Sequence, residues 1–386
     1  MRHFDFLAPY ESDRLFLRAP EAFSVDAEPH LLGVGLGATL YCPATRPALA
    51  RDIVKRAAHG VMSIVVCLED SVPDTEVQAA ERNAIAQLRE LGGSEASLPM
   101  IFVRVRSERQ IPMVVDALGE FGHVLTGFVV PKFCEETAAG YLDAVVSGGE
   151  RIGSRLLVMP VLESPEFGFA ETRVNSLLGM RRILDKYCDI VPAVRIGATD
   201  LSGGYGLRRT REFTVWDVRV IADVISAVVN VFGRVDSGPY VVTGPVWEYF
   251  SAAERMFKPQ LRESPFVALA ERSLRAELIA ADLDGLIREV ALDRANGLTG
   301  KTVIHPTHVA AVHALSVVAH EEYADAQDVL ATAGRGGAAA SSFGNKMNES
   351  KPHTAWAHRT MQRARIFGVA REGTSFVDLL GAGLHS

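Results

Sequence analysis

Short apolar runs rich in β-branched residues alternate along this chain with longer stretches whose apolar positions recur at helical spacing. The runs predict strands over Gly37–Cys42, Ser63–Leu68, Met100–Val105, Gly127–Val130, Leu156–Val161, Val194–Gly197, Val235–Val242 and Lys301–Ile304. Between them the spacing predicts helices, among them Pro47–His59, Glu76–Leu91, Ile111–Phe121, Thr137–Val146 and Phe213–Phe232. Eight alternations predict an α/β protein, a (β/α)8 barrel with its working loops at the C-terminal strand ends. A doubly wound sheet gives a similar string but carries a Gly-rich phosphate turn after its first strand. Tyr41-Cys42-Pro43-Ala44-Thr45 is no such turn.

Three regions fall outside the repeat. Residues 1–36 read as an N-terminal extension without a clear period, and about 247–284 reads as an amphipathic helical insertion in the barrel domain of 37–333. Residues 334–386 read as a linker and C-terminal helical arm, because Gly334–Gly344 is rich in Gly, Ala and Ser. An arm carrying Glu349, Lys351, His353 and Trp356 is placed either to close a barrel mouth or to pack on a neighbouring subunit of a homo-oligomer.

At 386 residues and 48% hydrophobic content the chain can bury one large barrel core. A formal charge of -7 argues against nucleic-acid binding, which needs a basic field. Cys42, Cys67, Cys134 and Cys188 form no C-x-x-C pair and stand beside apolar runs, so buried free thiols are expected rather than zinc or disulfides. The opening Met-Arg-His-Phe-Asp-Phe lacks a signal-peptide core, and no later run reaches membrane-spanning length. A cytoplasmic protein without a membrane partner is expected.

Chemistry concentrates where strands should end. Glu163 and Asp200 each follow a β-branched run, and two carboxylates at neighbouring strand ends outline a hard-metal site that leaves most of an Mg2+ shell to water and substrate oxygens. Arg104, at another strand end, adds a fixed bidentate donor for a carboxylate or phosphate. Taken singly, such acids also cap helices and such an arginine also pairs structurally. Lys132 after Pro131 is either a cation at the mouth or an exposed turn residue, and His305 is expected to be structural. Gly203-Gly204-Tyr205-Gly206 reads as a loop, and Arg208, Arg209 and Arg211 as a solvated basic run or an anion receiver.

Seven motifs stand in order: Leu-Tyr-Cys-Pro-Ala-Thr-Arg-Pro (40–47), Val-Cys-Leu-Glu-Asp-Ser-Val-Pro (66–73), Phe-Val-Arg-Val-Arg (102–106), Val-Val-Pro-Lys (129–132), Val-Leu-Glu-Ser-Pro (161–165), Ile-Gly-Ala-Thr-Asp-Leu (196–201) and Gly-Leu-Thr-Gly-Lys-Thr-Val-Ile-His-Pro (297–306). With them the chain resembles the HpcH/HpaI aldolase and citrate lyase β-subunit superfamily over about 37–320. Met-Asn-Glu-Ser-Lys-Pro-His-Thr-Ala-Trp-Ala (347–357) further resembles the branch of TIM-barrel C–C bond lyases found with tellurium-resistance and stress-response genes.

The resemblance implies cleavage or formation of a carbon–carbon bond next to a carbonyl, with Mg2+ or Mn2+ polarising the oxo-acid and stabilising an enolate. It implies Glu163 and Asp200 as metal ligands, Arg104 as the holder of the substrate carboxylate and neutraliser of enolate charge, and Glu69 and Asp70 as groups that orient Arg104 or metal-bound water. The chain departs from the pattern at Gly37-Ala38, at Pro43-Ala44 and at Arg106, which stands where Asn is common. Arg106 adds a guanidinium for a more anionic ligand, and the departures weaken the expectation of a CoA-type acyl carrier. The expected activity is that of a lyase or aldolase on a small oxo-acid or its ester or conjugate. The alternatives are a condensing synthase of the same superfamily and a non-catalytic barrel that binds an anionic metabolite.

Overall fold

The computed structural model describes residues 1–250, 283–333 and 337–384. The expected insertion at about 247–284 therefore lies outside the described residues except at its ends. Two compact units divide the chain: Val25–Val309, and Met1–Ser24 together with Ala310–Ser386.

The first unit is an eight-stranded parallel barrel. Its strands are β1 (Ala38–Pro43), β2 (Ser63–Cys67), β3 (Met100–Arg104), β4 (Gly127–Val130), β5 (Leu157–Leu162), β6 (Ala193–Ile196), β7 (Val241–Val242) and β8 (Lys301–Val303), hydrogen-bonded in the order β7-β6-β5-β4-β3-β2-β1-β8. A parallel bridge between Gly244 and Lys301 closes the ring, with the Thr302 N–H donating to Gly244 O at 3.0 Å. β2 is buried at every position, as a strand covered on both faces must be, and this is why it reads as an unbroken apolar run. The register sets Cys67 opposite both Pro43 and Arg104, so the C-terminal ends of β1, β2 and β3 lie level.

Helices follow from the same patterning. Val77–Gly92 buries Ala80, Ala84, Leu88 and Leu91, one stripe at helical spacing. Two expectations are corrected. The helix expected to end at Val146 runs over Glu135–Ile152, because Gly148 and Gly149 serve close packing there. A Cβ on Gly149 would stand 2.7 Å from Ser154 O. The strand expected over Val235–Val242 is reduced to β7, because 235–237 form a 3-10 turn and Gly238 adopts φ 70° before Pro239.

The second unit joins the two chain ends. Phe16–Arg18 pairs antiparallel with Val369–Ala370, and Phe4, Phe16, His3, His313 and Phe367 form an aromatic cluster. The segment read from sequence as a hinged arm holds a short hairpin, Ala338–Ala340 with Met347–Glu349, and the 18-residue helix Ser350–Phe367. That helix packs Ala357 and Ala364 against Val318, Tyr323, Ala326 and Val329. Lys346 pins the hairpin to Glu321 at 2.5 Å and Asp325 at 2.7 Å. Trp356 makes an edge contact with His353 and stays partly exposed. No helix among the described residues is long and apolar enough to cross a membrane.

Candidate active site

Five strand ends contribute to one charged cluster. Glu69 and Asp70 follow β2, Arg104 is the last residue of β3, Lys132 lies just past β4, Glu163 follows β5, and Asp200 opens the short helix Ala198–Gly203 after β6. Parallel strands of matched register end on one face of a barrel, which is why residues so distant in sequence meet. Arg104 Nη2 stands 2.8 Å from Glu69 Oε2, 3.2 Å from Asp70 Oδ2 and 3.2 Å from Glu163 Oε1. Arg104 Nε, buried, has no hydrogen-bond partner among the described residues. Lys132 Nζ stands 3.3 Å from Glu69 Oε1.

Glu163 is the most enclosed of the acids. Its Oε1 accepts from Arg104 and, at 2.9 Å, from the Lys132 backbone N–H. Lys132 takes φ 47°, a left-handed conformation that costs a non-glycine residue energy. Glu163 Oε2 is turned to Gly197, where an added Cβ would stand 2.1 Å away, so only glycine leaves room for the carboxylate. Burial pushes the Glu163 carboxyl up to about 7, with Asp200 and Glu69 adding to the rise and Arg104 and the Lys132 N–H opposing it. Asp200, at the solvent-facing rim, is raised first by partial burial and then by Asp70. Glu69 is raised by burial against the pull of Arg104, and Lys132 is raised chiefly by Glu69.

The donor set fits a hard divalent cation. Glu163 and Asp200 offer oxygen ligands only, and the charge of Asp200 adds to the rise of the Glu163 carboxyl. Among the described residues no group of three or more His, Cys, Asp or Glu side chains is arranged to hold a metal, so this pair would hold an ion only with water or substrate completing the shell. Beside the cluster opens a cavity of about 730 Å³ whose walls include Asp70, Asp74, Arg106, Pro131, Lys132 and Tyr141.

Other residues singled out from the sequence have different surroundings. Arg106 donates from Nε to Leu68 O at 2.7 Å and from Nη2 to Glu69 O at 3.1 Å and to Val72 O, and it pairs with Asp74. It fastens the loop after β2. His305 stacks on Phe250 at 4.7 Å and shares a hydrogen bond with Thr307. Arg209 is no solvated cation: it pairs with buried Glu289 and lies over Trp247. Tyr205 closes the glycine loop by donating to Gly168 O at 2.7 Å. Two residues that the sequence reading passed over, Tyr41 on β1 and Arg195 on β6, lie inside the barrel. Their signal was a polar group inside an apolar strand.

An eight-stranded parallel barrel with acids and an arginine at its strand ends defines a class of barrel enzymes. Residues 30–369 match the family described as C–C bond lyase of the TIM-barrel fold, and the chain belongs to that family. No curated protein matches it in sequence. Among solved structures it is similar to Mycobacterium tuberculosis CitE in complex with magnesium, acetoacetate and coenzyme A, at 20% identity and TM-score 0.51 over 85% of this chain and 97% of that one. It is also similar to a citrate lyase from Burkholderia xenovorans, at 13% identity and TM-score 0.60 over 87% of this chain and 93% of that one. At these identities the likeness is one of fold.

Proposed function

We propose that the protein is a divalent-metal-dependent carbon–carbon lyase or aldolase acting on a small oxo-acid, or its ester or conjugate, through an enolate. The observation that carries this reading is the convergence of Glu69, Asp70 and Glu163 on the guanidinium of Arg104 at the C-terminal face of the barrel. Magnesium and acetoacetate in the CitE structure agree with it. Bound at Glu163 and Asp200, Mg2+ would supply positive charge where an oxo-acid oxygen becomes negative. Arg104 holds the substrate carboxylate by its planar fork and offsets charge that develops on the enolate. Glu69 and Asp70 fix the rotamer of Arg104, and Lys132 balances Glu69. A coenzyme A carrier is left out of this reading, because Arg106 is spent on Asp74 and loop carbonyls instead of facing a polyphosphate.

Isothermal titration of Mg2+ and then oxaloacetate into the protein tests the assignment. Metal-dependent heat with oxaloacetate is expected, followed by consumption of the acid. Heat that is the same with and without Mg2+ contradicts it, and binding without consumption favours a non-catalytic anion-binding barrel.

A further inference from the structure

Arg195 is a buried cation on β6 whose side chain lies inside the barrel. Its side chain crosses the lumen, with Nη1 3.3 Å from Thr39 Oγ1 on β1 and 3.6 Å from Met159 Sδ on β5, and Nη2 2.5 Å from Thr302 Oγ1 on β8. It is 1% exposed, and its Nε has no hydrogen-bond partner among the described residues. No carboxylate among the described residues pairs with it, and a guanidinium does not shed its proton to escape burial. A buried charge without a counter-charge is costly to folding, and packing alone gives no reason to keep one.

Tyr41 supplies the link to the strand-end cluster. It lies two residues beyond Thr39, hence on the same inward face of β1. The Arg195 guanidinium carbon stands 5.5 Å from its ring centroid. Burial raises the phenol, with Arg195 and then Arg104 opposing the rise, and the residue keeps some solvent exposure, so it stands between the buried cation and the open face. Above it four carboxylates, Glu69, Asp70, Glu163 and Asp200, face two cations, Arg104 and Lys132, an arrangement that repels an anionic substrate unless positive charge is added.

We propose that Tyr41 and Arg195 form the floor of the substrate subsite, where the Tyr41 hydroxyl donates a hydrogen bond to an anionic oxygen of the bound oxo-acid. Arg195 acts through Tyr41 as a positioning residue: it holds the ring from below and adds positive potential to the floor. The inference rests on the lyase reading. It names what lies below the metal carboxylates and predicts that the floor favours an enolate-like dianion over a neutral carbonyl.

Calorimetry with Mg2+ and oxalate, an enolate mimic, tests it in wild type, Tyr41→Phe and Arg195→Met, with pyruvate as the ground-state comparison and thermal melting alongside. Both variants are expected to bind oxalate about tenfold or more weakly and pyruvate with a smaller loss. The Arg195→Met Tm should be unchanged or raised, since an apolar side chain replaces an unpaired buried charge. Wild-type oxalate affinity in Tyr41→Phe, a substitution that keeps the ring, overturns the proposal whatever Arg195→Met does. A lowered Tm with weaker oxalate binding in Arg195→Met alone assigns the pair to packing and overturns it too. Wild-type protein without Mg2+-dependent oxalate binding removes the lyase reading itself and the inference with it.

Discussion

Arg104 and Glu163 come from strands that are not neighbours, β3 and β5, yet Nη2 of the first stands 3.2 Å from Oε1 of the second. The same oxygen accepts the Lys132 N–H from the strand end between them. Three consecutive strand ends are thus joined through one carboxylate oxygen, while the other oxygen is left against Gly197. The arrangement ties Arg104, the proposed anion holder, to Glu163, the proposed metal ligand, so a change in one should be felt at the other.

Arg104→Lys should therefore keep the fold and lower turnover on the order of a hundredfold, because an ammonium is a point charge and cannot serve several oxygens in one plane. Steady-state kinetics with the oxo-acid found active would show it as a loss in kcat larger than the change in KM. Wild-type kinetics would remove Arg104 from the site.

Gly197→Ala places a methyl 2.1 Å from Glu163 Oε2. The carboxylate must move, and both stability and Mg2+ affinity should fall, the former by about 1–3 kcal/mol as for other overpacked sites. Urea denaturation with Mg2+ calorimetry on the same sample checks this. A variant with unchanged metal affinity would show that Glu163 does not need its position.

The raised Glu163 carboxyl sets a pH dependence. In the metal-free protein it keeps its proton up to about pH 7, whereas the metal requires the carboxylate. Mg2+ affinity should rise with pH by up to about tenfold per unit below 7 and level off above it. The sign for folding is the reverse: a carboxyl raised by burial favours the fold fully below its unfolded value. That stability is lost as the pH climbs through 7, on the order of 3 kcal/mol without metal. Mg2+ titrations and Tm from pH 5 to 8 test both. Affinity that is flat across this range would contradict the first.

Truncation after Ala333 bears on the C-terminal segment. Helix His320–Ala331 buries Tyr323, Ala326 and Val329, and its partners Ala357, Ala364 and Val369 lie beyond the cut. Amide exchange should show that helix losing protection, as a helix stripped of its packing face does. Retained protection would make the segment the separable arm its glycine-rich start predicts.

The barrel was legible because strands covered on both faces are written as continuous apolar runs, and all eight were placed within a few residues except β7, where Gly238-Pro239 ends the extended chain. Glu163, Asp200 and Arg104 were legible as charges at or shortly past the ends of such runs. Arg195 and Tyr41 were not, since a polar residue inside a run leaves no sign of whether it points to the lumen. The second unit was illegible for another reason. Phe16 pairs with Ala370, a partner hundreds of residues away, and contacts at that separation leave no local period.

The most direct measurement of the central claim is deuterium incorporation at the methyl group of pyruvate in D2O, followed by proton NMR with protein and Mg2+. The strand-end site predicts exchange that needs Mg2+, is lost in Asp200→Asn and Glu163→Gln, and is strongly slowed in Arg104→Lys. Exchange that persists in all three variants at limiting Mg2+ would contradict the assignment of metal-dependent enolate chemistry to these residues.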